Sequence, residues 1–196
     1  MTQPSPVPPS VLLVGASRGL GLAMANAFVD RGWHVVGTVR GKEQTGLHLL
    51  AGRYPGSVTI ETLDITDPAQ ISGLRARLAP HSFDMLFVNT GISTPDAAGP
   101  AAQVADDAFA RIMLTNALGA MRTVEGLQDR VRANGLIGVM SSELASIANN
   151  KGGGLEAYSA SKTALNQLMR SYANRQADPR ALVLMAPGWI RTDLGG

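Results

Sequence analysis

The chain has 196 residues, long enough for one domain around one continuous core and short for two. It has no cysteine, and its three histidines, His34, His48 and His81, are scattered, which argues against disulfides, thiolate catalysis and a zinc site. The formal charge of +2 comes from dispersed basic residues and leaves no nucleic-acid footprint, and no apolar run nears the roughly 20 residues that span a bilayer.

With 45% hydrophobic and 16% charged residues, the composition fits an α/β domain whose central strands are covered on both faces. Residues 1–10 are proline-rich and read as a disordered tail rather than a signal peptide, so a cytoplasmic location is the default expectation. From there short apolar runs alternate with amphipathic segments. Strands are expected at Val11–Gly15, Trp33–Val39, Val58–Leu63, Met85–Asn89, Leu136–Met140 and Ala181–Ala186. Helices are expected at Leu20–Arg31, Glu43–Arg53, Pro68–Leu78, Asp106–Arg132 and Glu156–Gln176. The alternation implies right-handed crossovers and a doubly wound parallel sheet, a Rossmann fold in a single domain over residues 11–196.

The first strand runs into Gly15-Ala16-Ser17-Arg18-Gly19-Leu20-Gly21 and then a helix. Gly15 permits a tight turn, the later glycines admit a pyrophosphate backbone, and the helix N-terminus offers N–H groups to phosphate. A structural turn would need glycine too. After the second strand an NAD site places a carboxylate for the ribose hydroxyls, but here stand Thr38, Val39 and Arg40. Arg40 with Arg18 could clamp a 2′-phosphate, which favours NADP(H) over NAD. Asp64, ending the third strand, could accept from an adenine amino group. Asp67 before Pro68 reads independently as a helix cap.

Residues 92–104, rich in Pro, Gly and Ala, and 143–155, with three consecutive glycines, follow carboxyl ends of strands and are expected to wall a pocket. Ser141-Ser142 closes the fifth strand, where a hydroxyl can donate to a carbonyl oxygen gaining charge. Tyr158-Ser159-Ala160-Ser161-Lys162 places a phenol and an ammonium four residues apart on one helix face. A lysine cation there would bring the phenol's pKa down from about 10 toward the working range. The pair also suits an ordinary helix surface.

Gly15–Gly21, Asn89-Thr90-Gly91, Asn116, Ser142, Tyr158 with Lys162, and Pro187-Gly188 together resemble the short-chain dehydrogenase/reductase family, in order and spacing, from Val11 to Gly196. Ser161–Asn166 and Pro187–Asp193 resemble its C-factor-like and carbonyl-reductase branch. The resemblance implies a catalytic set of Ser142, Tyr158, Lys162 and Asn116. Tyr158 would be the general acid or base, Lys162 would lower its pKa and hold the nicotinamide ribose, Ser142 would orient the carbonyl, and Asn116 would position a water. The cofactor set it implies is Gly15, Ser17, Arg18, Gly19, Leu20, Gly21, Arg40, Asp64, Ile65, Asn89, Gly91, Tyr158, Lys162, Pro187, Gly188, Ile190 and Thr192. Without the family, Asn116 reads as a buried polar residue satisfying backbone.

The family's serine usually stands about 13 residues before its tyrosine, and Ser142 stands 16 before Tyr158, so a three-residue expansion at Gly152–Gly154 is expected, with Ser146 as rival. No seventh strand is expected in this chain. The expected function is NADP(H)-dependent hydride transfer to or from a small carbonyl or alcohol substrate. The alternative is a catalytically weak NADP-binding regulatory or signalling protein. Homodimerisation through the helices at 106–132 and 156–176 follows by analogy with the family.

Overall fold

The computed structural model describes residues 7–93, 99–176, 179–188 and 190. Six parallel strands form one sheet in the order β3-β2-β1-β4-β5-β6: β1 (Ser10–Val14), β2 (His34–Val39), β3 (Val58–Thr62), β4 (Phe83–Val88), β5 (Val131–Met140) and β6 (Ala181–Met185). The order reverses between β1 and β4, which opens a crevice at the carboxyl ends of those two strands. The doubly wound α/β expectation is met.

The strands read as continuous apolar runs because both faces are buried. Along β1, Leu12 and Val14 pack on one face with α3 (Pro68–Arg77), α5 (Ala120–Leu127) and α6 (Glu156–Arg175), where Leu74, Val124 and Leu165 are buried. Val11 and Leu13 point to the other face, against α1 (Gly19–Asp30) and α2 (Gly46–Arg53), through Ala25, Val29 and Leu47. Asp67 caps α3 by accepting from the backbone N–H groups of Ala69 and Gln70, with Pro68 at the first helical position.

Several boundaries differ from expectation, among them the starts of β4 at Phe83 and β5 at Val131. Ser10, placed in the tail, opens β1 opposite His34, and its backbone N–H donates to Asp84 at 2.7 Å. Residues 1–6 of that tail lie outside the described residues. The second helix starts at Gly46 rather than Glu43, because Thr45 and His48 form a reciprocal cap that fixes the first turn.

The long helix expected over Asp106–Arg132 is instead α4 (Asp106–Met113), a wide π turn at Leu114–Gly119, and α5, with a last 3-10 turn at Gln128–Arg130. Its apolar stripe ends at Leu127, and Val131 then pairs with Phe83, so the sheet takes residues that helical period had claimed. Among the described residues no helix is long and apolar enough to cross a membrane, and no cluster of three or more His, Asp or Glu could hold a metal ion.

Candidate active site

Every loop singled out in the sequence leaves the carboxyl end of a strand, so the sheet gathers them on one edge. Gly15 turns the chain out of β1 at φ 85°, a conformation that glycine adopts without strain. The Thr38 hydroxyl accepts from the Gly15 N–H at 3.0 Å, and the Thr38 carbonyl accepts from Ala16 at 2.9 Å. From β4, the Asn89 side chain donates to the Gly15 carbonyl at 3.2 Å. A Cβ on Gly21 would lie 2.0 Å from that same carbonyl oxygen. The glycine turn is therefore clamped from both neighbouring strands and packed directly on α1.

No side chain caps the first turn of α1, where Arg18 stands in the N-cap position. A helix start of this kind offers backbone N–H groups that suit an anion. Ser17 is half-buried, and Leu20 packs with its apolar neighbours against the α1 face of the core. Arg18 and Arg40 are both exposed at this edge.

Asp64 is half-buried. Burial alone would raise its pKa, but hydrogen bonds from the Thr66 hydroxyl and N–H and the nearby charge of Arg40 outweigh it and hold the carboxyl below its usual range. Its Oδ1 is thus engaged within its own turn, and Arg40 shares its electrostatic environment. Ile65 is 3% exposed and belongs to the core, so only its backbone can face a ligand.

At the other end of the crevice, α6 brings Tyr158 and Lys162 to the end of β5. Tyr158 is half-buried, with the Ser142 hydroxyl beside it. Burial pushes its phenol above 10, and the Ser142 hydroxyl opposes the shift. Lys162 is 2% exposed, and its Nζ donates to the Met140 carbonyl at 2.8 Å. Burial pulls its pKa down to about 8. Its Nζ lies 5.9 Å from the centre of the Tyr158 ring.

The phenol is raised, because desolvation exceeds the help it receives, and that help comes from Ser142. Gly91 stands by the lysine: a Cβ there would approach Nζ to 3.3 Å, so the missing side chain leaves the ammonium room.

Ser146, the rival serine, accepts from the Asn149 N–H within its own loop, whereas Ser142 meets the phenol. Asn116 sits in the π turn, fully buried. Its side chain accepts from the Ile92 N–H and donates to the Ile92 carbonyl, both at 2.8 Å, and donates to Ser161 Oγ at 3.0 Å. Ser161 in turn donates to the Tyr158 carbonyl at 2.6 Å. The geometry thus matches the plainer reading: Asn116 satisfies backbone, tying the loop after β4 to the turn that carries Tyr158. Pro187, Gly188 and Ile190 follow β6 at the same edge, with Gly188 at φ 72°, and Thr192 lies outside the described residues.

Two residues of the Ser161–Asn166 stretch were given no role in the sequence reading. Asn166 accepts from the Ser141 hydroxyl at 2.6 Å, and Thr163 donates to the Ala145 carbonyl at 3.0 Å. Asn166 follows Lys162 by four residues, as Lys162 follows Tyr158, and that repeat on one helix face was the available signal.

Residues 9–196 match the family described as short chain dehydrogenase. A short-chain dehydrogenase/reductase from Burkholderia multivorans, solved with bound NADP, is 56% identical with a TM-score of 0.95, over 97% of this chain and 83% of that one. A carbonyl reductase from Pseudomonas aeruginosa PAO1, solved in complex with NADP, is 35% identical with a TM-score of 0.88, again over 97% of this chain and 83% of that one. The C-signal protein of Myxococcus xanthus is 35% identical over 116 residues, which is 58% of this chain and 69% of that protein.

Proposed function

The chain belongs to the short-chain dehydrogenase family, and from that premise we propose an NADP(H)-dependent oxidoreductase that transfers a hydride between the nicotinamide and a carbonyl or alcohol substrate. The observation that carries this reading is the convergence of Ser142 and Lys162 on Tyr158 at the end of β5.

In reduction, Ser142 orients the carbonyl oxygen and Tyr158 delivers its proton to that oxygen. A phenol held above 10 by burial stays protonated at neutral pH, which suits it as an acid. Bound NADPH would supply the hydride. Lys162 spends one N–H on Met140, and the family resemblance assigns its remaining protons to the nicotinamide ribose. Asn116 acts here as a positioning residue, since both ends of its side chain are committed to Ile92.

The cofactor reading is supported by the uncapped start of α1, by Arg18 and Arg40 at the adenosine end, and by neighbours solved with NADP. Asp64, Ile65, Asn89, Gly91, Pro187, Gly188, Ile190 and Thr192 complete the proposed cofactor wall. The proposed assembly is a homodimer through the α4–α5 and α6 faces, where Phe109, Leu118 and Leu168 are exposed apolar residues; a strictly monomeric species in sedimentation at micromolar concentration would contradict it. A cytoplasmic location is proposed alongside.

The test follows NADPH oxidation at 340 nm with 2,3-butanedione and a wider carbonyl panel. Tyr158→Phe should lower kcat by about a thousandfold, within the range of general acid catalysis, while NADPH binding, read by nicotinamide fluorescence, is retained and stays tighter than NADH binding. A Tyr158→Phe protein with full turnover would end this reading.

A further inference from the structure

Ser142 stands beside Tyr158 on a short turn rather than within β5. Something must hold that turn to the helix bearing the phenol. Two α6 side chains three residues apart do so. Asn166 accepts from the hydroxyl of Ser141, immediately before Ser142, and Thr163 donates to the carbonyl of Ala145, three residues after it. The backbone N–H of Ser141 is taken separately by the Met185 carbonyl at 2.7 Å, which fixes the strand end but leaves the Ser141 side chain to Asn166.

We propose that Asn166 is a positioning residue: by anchoring Ser141 to the catalytic helix, it fixes Ser142 in hydrogen-bonding register with the Tyr158 hydroxyl. The proposal rests on the carbonyl-reduction reading and deepens it by adding a member to its site. Ser141 is 5% exposed, so its hydroxyl needs a protein partner. Asparagine in the middle of a 20-residue helix is a poor helix former, so its presence is not explained by the helix itself. Tyr158, Lys162 and Asn166 repeat at four-residue intervals, so one rigid element carries the phenol, the ammonium and the anchor of the serine.

The test reads the phenol and requires no turnover. Absorbance at 295 nm is followed against pH for the full chain, with Tyr158→Phe subtracted to isolate Tyr158. Ser142→Ala should raise the Tyr158 midpoint by about one pH unit, the scale of one hydrogen bond to a charged group. Asn166→Ala and Ser141→Ala should each raise it by a similar fraction of that shift. In the Ser142→Ala background neither should move it further. Alanine favours helix, so Asn166→Ala keeps α6 intact.

A merely structural Asn166 would lower the thermal midpoint and leave the phenol where it was. An unmoved phenol midpoint in Asn166→Ala overturns the proposal. So does a shift that persists undiminished without Ser142. Because no substrate enters the titration, failure of the carbonyl-reduction reading would show instead as retained turnover in Tyr158→Phe.

Discussion

The two ends of the crevice are built by different means. The glycine turn is contiguous, Gly15 to Gly21, and works through backbone: a left-handed glycine, an uncapped helix start, and close packing that admits no Cβ. The catalytic end is discontinuous. It joins β5, the π turn and α6 through side chains, namely Ser142, Asn116, Ser161, Lys162 and Asn166. Backbone-built geometry fails as a unit, because no neighbour can compensate for a clash with a carbonyl. Side-chain-built geometry can fail one bond at a time.

The strongest way to break this contrast is Gly21→Ala. The new Cβ would lie 2.0 Å from the Gly15 carbonyl oxygen and 2.7 Å from the Asn89 amide, so the turn must move as a whole. NADPH affinity should fall at least about a hundredfold, and the thermal midpoint should drop by the equivalent of about 3 kcal/mol, the upper range for overpacking. Gly52→Ala is the matched control. That glycine lies in α2 with nothing within 4 Å, and alanine there should stabilise by about 0.5–1 kcal/mol. If Gly21→Ala bound NADPH as the native chain does, the backbone account of this end would be wrong.

The contrast also explains what the sequence made legible. Contiguous features could be read directly: six apolar runs became six strands, and the glycine turn and the Asp67-Pro68 cap stand where spacing placed them. Features fixed by tertiary pairing could not. Residues 131–135 carried no strand signal, and their pairing with β4 shows only when Val131 meets Phe83. The π turn around Asn116 is local, yet Asn116's work is set by Ile92, 24 residues away. Tyr158 and Lys162 were visible as a spacing, but the direction of the phenol's shift was not. That direction depends on how deeply the folded chain buries each group, and spacing says nothing of burial.

The smaller effect sharpens the side-chain half of the contrast, through Lys162. Its pKa of about 8 in the folded chain lies below the ordinary 10.5, so the folded state binds this proton more weakly than the unfolded one. Stability then rises with pH between those two values. Below pH 8 both states are protonated, and the fold carries the full cost of a buried cation. Raising the pH from 7 to 9.5 should add about 2 kcal/mol to the native chain's unfolding free energy, since each unit of pKa difference is about 1.4 kcal/mol. Lys162→Met, which has no proton to lose, should lack that gain. Urea unfolding of both proteins at four pH values reads the difference directly. The range stops at 9.5 because Tyr158, shifted upward, opposes the trend once free tyrosine begins to ionise. Parallel stability curves for the two proteins would mean that Lys162 keeps an ordinary pKa despite being 2% exposed. In that case its bond to Met140 compensates the charge far better than burial penalises it, and the lysine would hold its proton throughout the working range.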